Sequence, residues 1–317
     1  MNDRQPAALA EVVRGELVES VHFGSVIAVD PAGTVLFEAG DTRSPMYPRS
    51  SMKPLQSTAM LRAGLALDDE LLALACASHG GESFHLDGVR RILDGAGLAE
   101  ADLQNTPGFP LDERARAEYG NVASSLAQNC SGKHAAMLAT CVANDWPTVT
   151  YRAPEHPLQQ AIAATITELA GEQVTETTVD GCGAPLFAIS LRGLATGFGA
   201  LRKAETEAAK RISAAVSGYP EWVAMTNHVN TGLLRAIPGS IGKGGAEGVL
   251  AFAIPDGPAI AIKIGDGNPR ALPVVLVEVL RRLGISGERL DELGTVPVFG
   301  HGKPVGAVRP GVGLSGS

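Results

Sequence analysis

The stretch Arg49-Ser50-Ser51-Met52-Lys53-Pro54 places a serine three residues before a lysine. Residues i and i+3 share one face of a helix, so the Lys53 amine would stand one turn after the Ser50 hydroxyl. A serine hydroxyl attacks at neutral pH only with a base beside it. Lysine serves as that base once burial or a nearby cation lowers its pKa. A helix N-terminus would also steady a developing alkoxide. The same letters fit a plainer role. Ser50 or Ser51 would then be an N-cap, with Pro54 in the first turn, where its missing N–H costs nothing. Such tetrapeptides are common by chance, so the rest of the chain has to decide.

The four cysteines divide by context. Cys76 and Cys141 sit in apolar helical patterns and read as core. Cys130 and Cys182 lie in polar, glycine-rich turns, "NCSGKHA" and "TVDGCGAP". Glycines flanking Cys182 allow unusual dihedrals and a close backbone approach. Two thiolates and one nitrogen would suit tetrahedral zinc, with the fourth position left for water or substrate. His134 is the obvious nitrogen ligand by chemistry, and a neutral Lys133 the unusual one. Asp180 could hold a metal-bound water.

Further polar groups stand out. "CASHGGESFH" reads as a helix ending in glycines, or as a loop that offers Ser78 as a second hydroxyl to shuttle a proton or attack. Ser83 is the weaker candidate for that role. Tyr119-Gly120-Asn121 and Lys243-Gly244-Gly245 follow Ser50-x-x-Lys53 in the order of the Ser/Tyr-x-Asn and Lys-Thr/Ser-Gly elements of penicillin-interactive enzymes. Lys263 interrupts the apolar run "AIAIKIGDG". It is either on a solvent face or buried with a task.

The elements that must carry these groups follow a clear order. Residues 10–40 read as strands, with "SVIAVD" and "TVLFEAG" forming a hairpin. Helical patterns dominate from about residue 50 to 235. Beyond 236, "GVLAFAIPDGPAIAIKIGDG" reads as a second hairpin, "RALPVVLVEVLRRLGI" as a helix and "TVPVFGHGKPVGAV" as a closing strand segment. The expected fold class is mixed α/β, with a largely antiparallel sheet built from both chain ends and flanked by helices. Residues 1–48 plus 236–313 would form the sheet lobe, 49–235 a mainly helical lobe and 314–317 a flexible tail. Ser50 would then face the crevice between lobes.

Composition narrows the function classes. The 317 residues are 45% hydrophobic and 19% charged, as in ordinary globular chains. A net charge of −8 and 4% aromatic residues argue against a nucleic-acid partner. No apolar run is long enough to span a membrane. The N-terminus lacks the apolar core of a signal peptide. The expected location is cytoplasmic, with reduced cysteines.

Taken in order, "PRSSMKP", "ASHGGE", "CSGKHA", "DGCGAP", "KGGAEG" and "KIGDG" resemble the Rhizobium etli-type L-asparaginase II family, the class 3 asparaginases, over about residues 10–310. The resemblance implies a serine β-lactamase/glutaminase-like fold and hydrolysis of L-asparagine to aspartate and ammonia. It implies Ser50 with Lys53 as a Ser–Lys pair, and Ser78 as the second catalytic serine. It implies Cys130, Lys133 and Cys182 as zinc ligands, with Asp180 holding the zinc's water. Arg49 and Lys263 would lie close to the substrate. The segment before Cys130, "SLAQN", departs from the family's His-Asn-Asn version. A homodimer is the expected assembly. The alternatives are a glutaminase or a penicillin-interactive acyl hydrolase.

Overall fold

A computed structural model describes residues 5–314. The residues expected to form the tail from 315 onward lie outside the described residues.

Three strands open the chain: β1 (Ala7–Arg14), β2 (Leu17–Val29) and β3 (Val35–Ala39). β2 and β3 pair antiparallel, as their alternation predicts. Asp30 makes their turn, its Oδ1 accepting from the backbone N–H groups of Ala32 and Thr34. A short β4 (Pro45–Met46) leads into the helical part.

That part holds α1 (Lys53–Arg62), α2 (Asp69–Ala75), α3 (Ser83–Gly95), α4 (Glu113–Glu118), α5 (Ser131–Ala143) and α6 (Pro157–Ala170). A hairpin interrupts it, β5 (Glu176–Val179) with β6 (Pro185–Ser190). Then come α7 (Leu191–Lys203), α8 (Glu207–Gly218), α9 (Pro220–Val223) and α10 (Val229–Ala236). The hairpin carries Cys182 in its turn; the sequence reading expects that glycine-framed turn, but not the pair of strands on either side of it in a stretch where helical patterns dominate. Nor does it expect α7, whose alanines and glycines dilute the apolar period. The chain closes with β7 (Ile241–Gly245), β8 (Val249–Ala253), β9 (Ala259–Ile264), α11 (Leu272–Arg282), α12 (Glu288–Leu293), β10 (Val296–Gly300) and β11 (Lys303–Pro310).

Eight strands form one antiparallel sheet in the order β10-β11-β1-β2-β9-β8-β7, with β3 paired to β2. Both chain ends contribute, as expected for this mixed α/β class. β9 sits centrally and is buried on both faces. Its Ala259 side meets Gly199 of α7. Ile262 lies opposite Leu250 on the other side, and Leu250 shares a cavity with Leu272 and Pro273 of α11. β7 ends the sheet and places its last residues against the start of the helical part.

Candidate active site

Ser50 sits in a single 3-10 turn, Arg49–Met52, that feeds directly into α1. It is not the helix cap, and Ser51 Oγ instead donates to the Pro48 carbonyl at 2.7 Å. Arg49 holds a φ of 54°, a left-handed conformation that costs a non-glycine residue about 1–3 kcal/mol. Its surroundings enforce that conformation. Arg49 Nε donates to Asp180 Oδ1 at 2.8 Å, and its guanidinium faces Glu247 at 3.8 Å.

The end of β7 passes over this turn. A Cβ on Gly245 would lie 2.7 Å from the Pro48 oxygen, 2.9 Å from the Ser51 nitrogen and 3.2 Å from the Ser50 nitrogen. Only glycine allows the approach. The Ser50 N–H makes no backbone hydrogen bond among the described residues.

Lys53 is buried, but it does not pair with Ser50. Its Nζ donates to the Ala77 carbonyl, to Ser78 Oγ at 3.1 Å and to Cys130 Sγ at 3.2 Å. The expected direct Ser50–Lys53 hydrogen bond is therefore replaced by one to Ser78, because α1 begins only at Lys53 and the preceding tighter turn re-aims the side chain. Lys243 comes to the same hydroxyl from β7, with Nζ 3.0 Å from Ser78 Oγ and 2.7 Å from the Gly244 carbonyl. Two lysines thus converge on Ser78. Burial, then repulsion from Lys53, holds Lys243 well below the ordinary lysine pKa.

Ser78 lies in the loop after α2, which ends at Ala75 rather than at the glycines. Ser83 is exposed in the first turn of α3. The Tyr119-Gly120-Asn121 triplet is elsewhere, with Tyr119 bonded to Ser124 and Asn121 to Arg116. Asn129 occupies the cavity instead.

Ser50, Ser78, Asn129 and Lys243 line a cavity of about 340 Å³. A second groove, of about 430 Å³, is lined by Tyr47, Arg49, Glu247 and Lys263. The two adjoin along Arg49–Ser50 and Ala246–Glu247, consecutive residues that face one space each. Lys263 therefore reaches the groove and not the Ser50 cavity. Its Nζ donates to the carbonyls of Glu247 at 2.6 Å and Ile264 at 2.7 Å. Burial, opposed by Glu247 and Asp266, leaves it below the usual lysine value.

Cys130 and Cys182 form a buried cluster with Ala184, apart from the main core that holds Cys76 and Cys141. Gly132 allows this placement. A Cβ there would meet the Leu74 carbonyl at 2.5 Å, so glycine lets α5 pack on α2 and bring Cys130 to Lys53. The Cys182 thiol donates to Cys130, which lies well below the ordinary thiol pKa despite burial, aided by Lys53 and Lys133. Cys182 is raised in turn. Lys133 Nζ stands 3.3 Å from Cys182 Sγ. Burial pulls Lys133 down, but Cys182, Cys130 and Asp180 outweigh it and hold it above the usual lysine value. Burial pushes the core thiols up, Cys76 to about 11 and Cys141 to about 12.

This donor set fits a thiophilic divalent metal. Cys130 is held below the ordinary thiol pKa, and a metal bound here would displace the protons of the thiols and of Lys133. No cluster of three or more His, Cys, Asp or Glu suited to a metal exists among the described residues, so the nitrogen available to the sulfurs is that of Lys133. His134 turns away and shares a hydrogen bond of 2.6 Å with Tyr151 Oη in the core. Asp180 is tied to Arg49, linking the cysteine turn to the Ser50 turn.

The sequence reading places Lys243 only loosely, names Asn129 with Gln128 only as neighbours of Cys130 on the substrate side, and does not single out Glu247. The signal for Lys243 was its position before two glycines. Its partner, Ser78, is too distant in sequence for any spacing rule to find.

Residues 10–310 match the family model described as L-asparaginase II. The chain belongs to the L-asparaginase II family. That is a family of asparaginase-type amidohydrolases. The chain is also similar to solved structures of a protein called Mglu. One, in its native form, is 13% identical with a TM-score of 0.45, over 84% of this chain and 66% of that one. Another, in a glutamate form, is 13% identical with a TM-score of 0.37, over 82% and 61%. This chain thus spans less than two thirds of the length of either. No curated protein sequence matches it. No helix among the described residues is long and apolar enough to cross a membrane.

Proposed function

We propose that this family member hydrolyses the side-chain amide of L-asparagine to L-aspartate and ammonia, with Ser50 as nucleophile. The observation that carries the reading is Ser78 Oγ held between Lys53 and Lys243, at 3.1 and 3.0 Å, in the cavity that Ser50 lines. Ser50 Oγ bonds the amide carbon, and its proton enters the Lys53–Ser78–Lys243 relay. The relay returns a proton to the departing nitrogen, which leaves as ammonia. Water then cleaves the aspartyl ester by the same relay. The Ser50 N–H, left open beside β7, is a donor for the oxyanion. Arg49, Glu247 and Lys263 carry both signs of charge in the adjoining groove, as a free amino acid's carboxylate and ammonium need, and Asp180 holds Arg49 in place.

Zinc belongs to the same reading. Cys130, Lys133 and Cys182 would hold it, and when bound it supplies positive charge beside the groove. The sheet lobe and the helical lobe would close on the substrate from either side.

The reading is tested by ammonia release from asparagine and from glutamine and by the colour change of a chromogenic cephalosporin, each with and without a chelator. Asparagine turnover well above the other two supports it. Turnover of the cephalosporin alone would replace it with an acyl hydrolase.

A further inference from the structure

The cavity beside Ser50 is larger and more apolar than ammonia requires. Apart from its catalytic edge, its walls come from α10, β8 and α11, chiefly Val229, Leu233, Leu250 and Leu272. No carboxylate lines it, and Lys243 is its single cationic group among the described residues. An amino acid's ammonium has no counter-charge there. The charged groove lies on the other side of the ridge formed by Arg49–Ser50 and Ala246–Glu247. A substrate whose charged head fills the groove presents its amide carbon to Ser50. What lies beyond the scissile bond then points into the apolar cavity.

We propose that this cavity receives an apolar substituent on the departing nitrogen, so that the chain hydrolyses N4-alkylated asparagines, secondary β-aspartyl amides. This rests on the amidohydrolase reading above and extends it. The chemistry balances without a new reactant. Ser50 Oγ forms a bond to the β-carbonyl carbon and the C–N bond breaks. The serine's proton passes through the relay to the nitrogen, which leaves as a primary amine. Water then releases aspartate and restores the serine. Burial of each methylene against Leu233 and Leu272 favours longer alkyl groups.

The test compares L-asparagine with its N4-methyl and N4-hexyl derivatives, following aspartate formation. The expected result is a kcat/KM for N4-hexyl at least about tenfold above that for N4-methyl. Val229→Trp narrows the cavity from a position that is 38% exposed, so the fold tolerates it. It should lower N4-hexyl turnover at least about tenfold and leave asparagine within about twofold. Leu233→Ala widens the cavity and should shift the preference to still longer chains. Active asparagine hydrolysis with N4-hexyl no better than N4-methyl overturns this proposal alone. So does an equal loss on both substrates in a folded Val229→Trp, or an unshifted preference in Leu233→Ala. Loss of all three substrates, with the wild-type protein folded, overturns the amidohydrolase reading as well.

Discussion

Lys243 Nζ stands 3.0 Å from Ser78 Oγ, across a separation of 165 residues. β7 and the loop after α2 meet there, and the contact puts a lysine of depressed pKa on a hydroxyl. Depression favours the neutral form, which can accept a proton. Deprotonated Lys243 accumulates as pH rises through its folded pKa, so asparagine kcat/KM should climb with pH and level off below the ordinary lysine value of ~10.4. Stability carries the same sign. Between the folded and unfolded pKa values the unfolded chain binds the extra proton, so the unfolding free energy rises with pH in that window. Lys243→Arg keeps a charge that cannot be removed. It should lower kcat at least ~100-fold and abolish the rising limb. An unchanged pH profile in the folded variant takes Lys243 out of the proton path.

Ser50→Ala should lower asparagine turnover by at least ~100-fold, on the scale of losing a nucleophile. Ser78→Ala should also cost ~100-fold or more, because it disconnects the two lysines. The two losses should not add in the double variant, since both act in one step. Full additivity would mean independent roles. Circular dichroism of each variant shows whether the fold persists.

The fold was legible in sequence where period and turn chemistry agreed. The β2–β3 and β8–β9 hairpins announced themselves through "DPAG" and "PDGP" between alternating runs. α7 did not, because Gly193, Gly197 and Gly199 weaken its propensity while serving close packing against Glu172, Leu55 and Ala259. The site divides the same way. Cys130 and Cys182 could be separated from Cys76 and Cys141 by local context alone. The helical i, i+3 spacing of Ser50 and Lys53 misled about contact, since helix geometry starts only at Lys53. The convergence on Ser78 comes from three segments and has no one-dimensional signature. Lys263 alternates as expected but faces a different space, which only the three-dimensional ridge at Ser50 reveals.

The metal reading separates the cysteines by measurement. Cys130→Ala and Cys182→Ala should each lose stoichiometric zinc by elemental analysis, and Cys76→Ala and Cys141→Ala should keep it. The last two instead leave small holes in the core, costing roughly 1 kcal/mol each. Because Lys133 sits above the usual lysine value and Cys182 above the usual thiol value, zinc uptake should release protons, and its apparent affinity should rise with pH. Zinc retained in either Cys130→Ala or Cys182→Ala would remove the site as drawn.

Gly245→Ala isolates the contact between sheet and Ser50. The added methyl would press on the Pro48 oxygen and the Ser51 nitrogen, at 2.7 and 2.9 Å. Both are backbone atoms in the turn that holds Ser50, and neither can rotate away as a side chain would. Relief requires β7 or the turn to move, at a cost of about 1–3 kcal/mol. Either movement shifts Ser50 against the relay, and a misplacement near 1 Å lowers reaction rates by ~100-fold. Gly245→Ala should therefore lower both the melting temperature and kcat, while KM, set mainly by the charged groove, changes little. Gly95→Ala is the control. Gly95 ends α3 with nothing within 4 Å of its Cβ position, so the change should stabilise by up to ~1 kcal/mol and leave kcat untouched. If Gly245→Ala matches that control in both melting temperature and kcat, the strand does not hold Ser50 in place, and the oxyanion donor must be sought elsewhere.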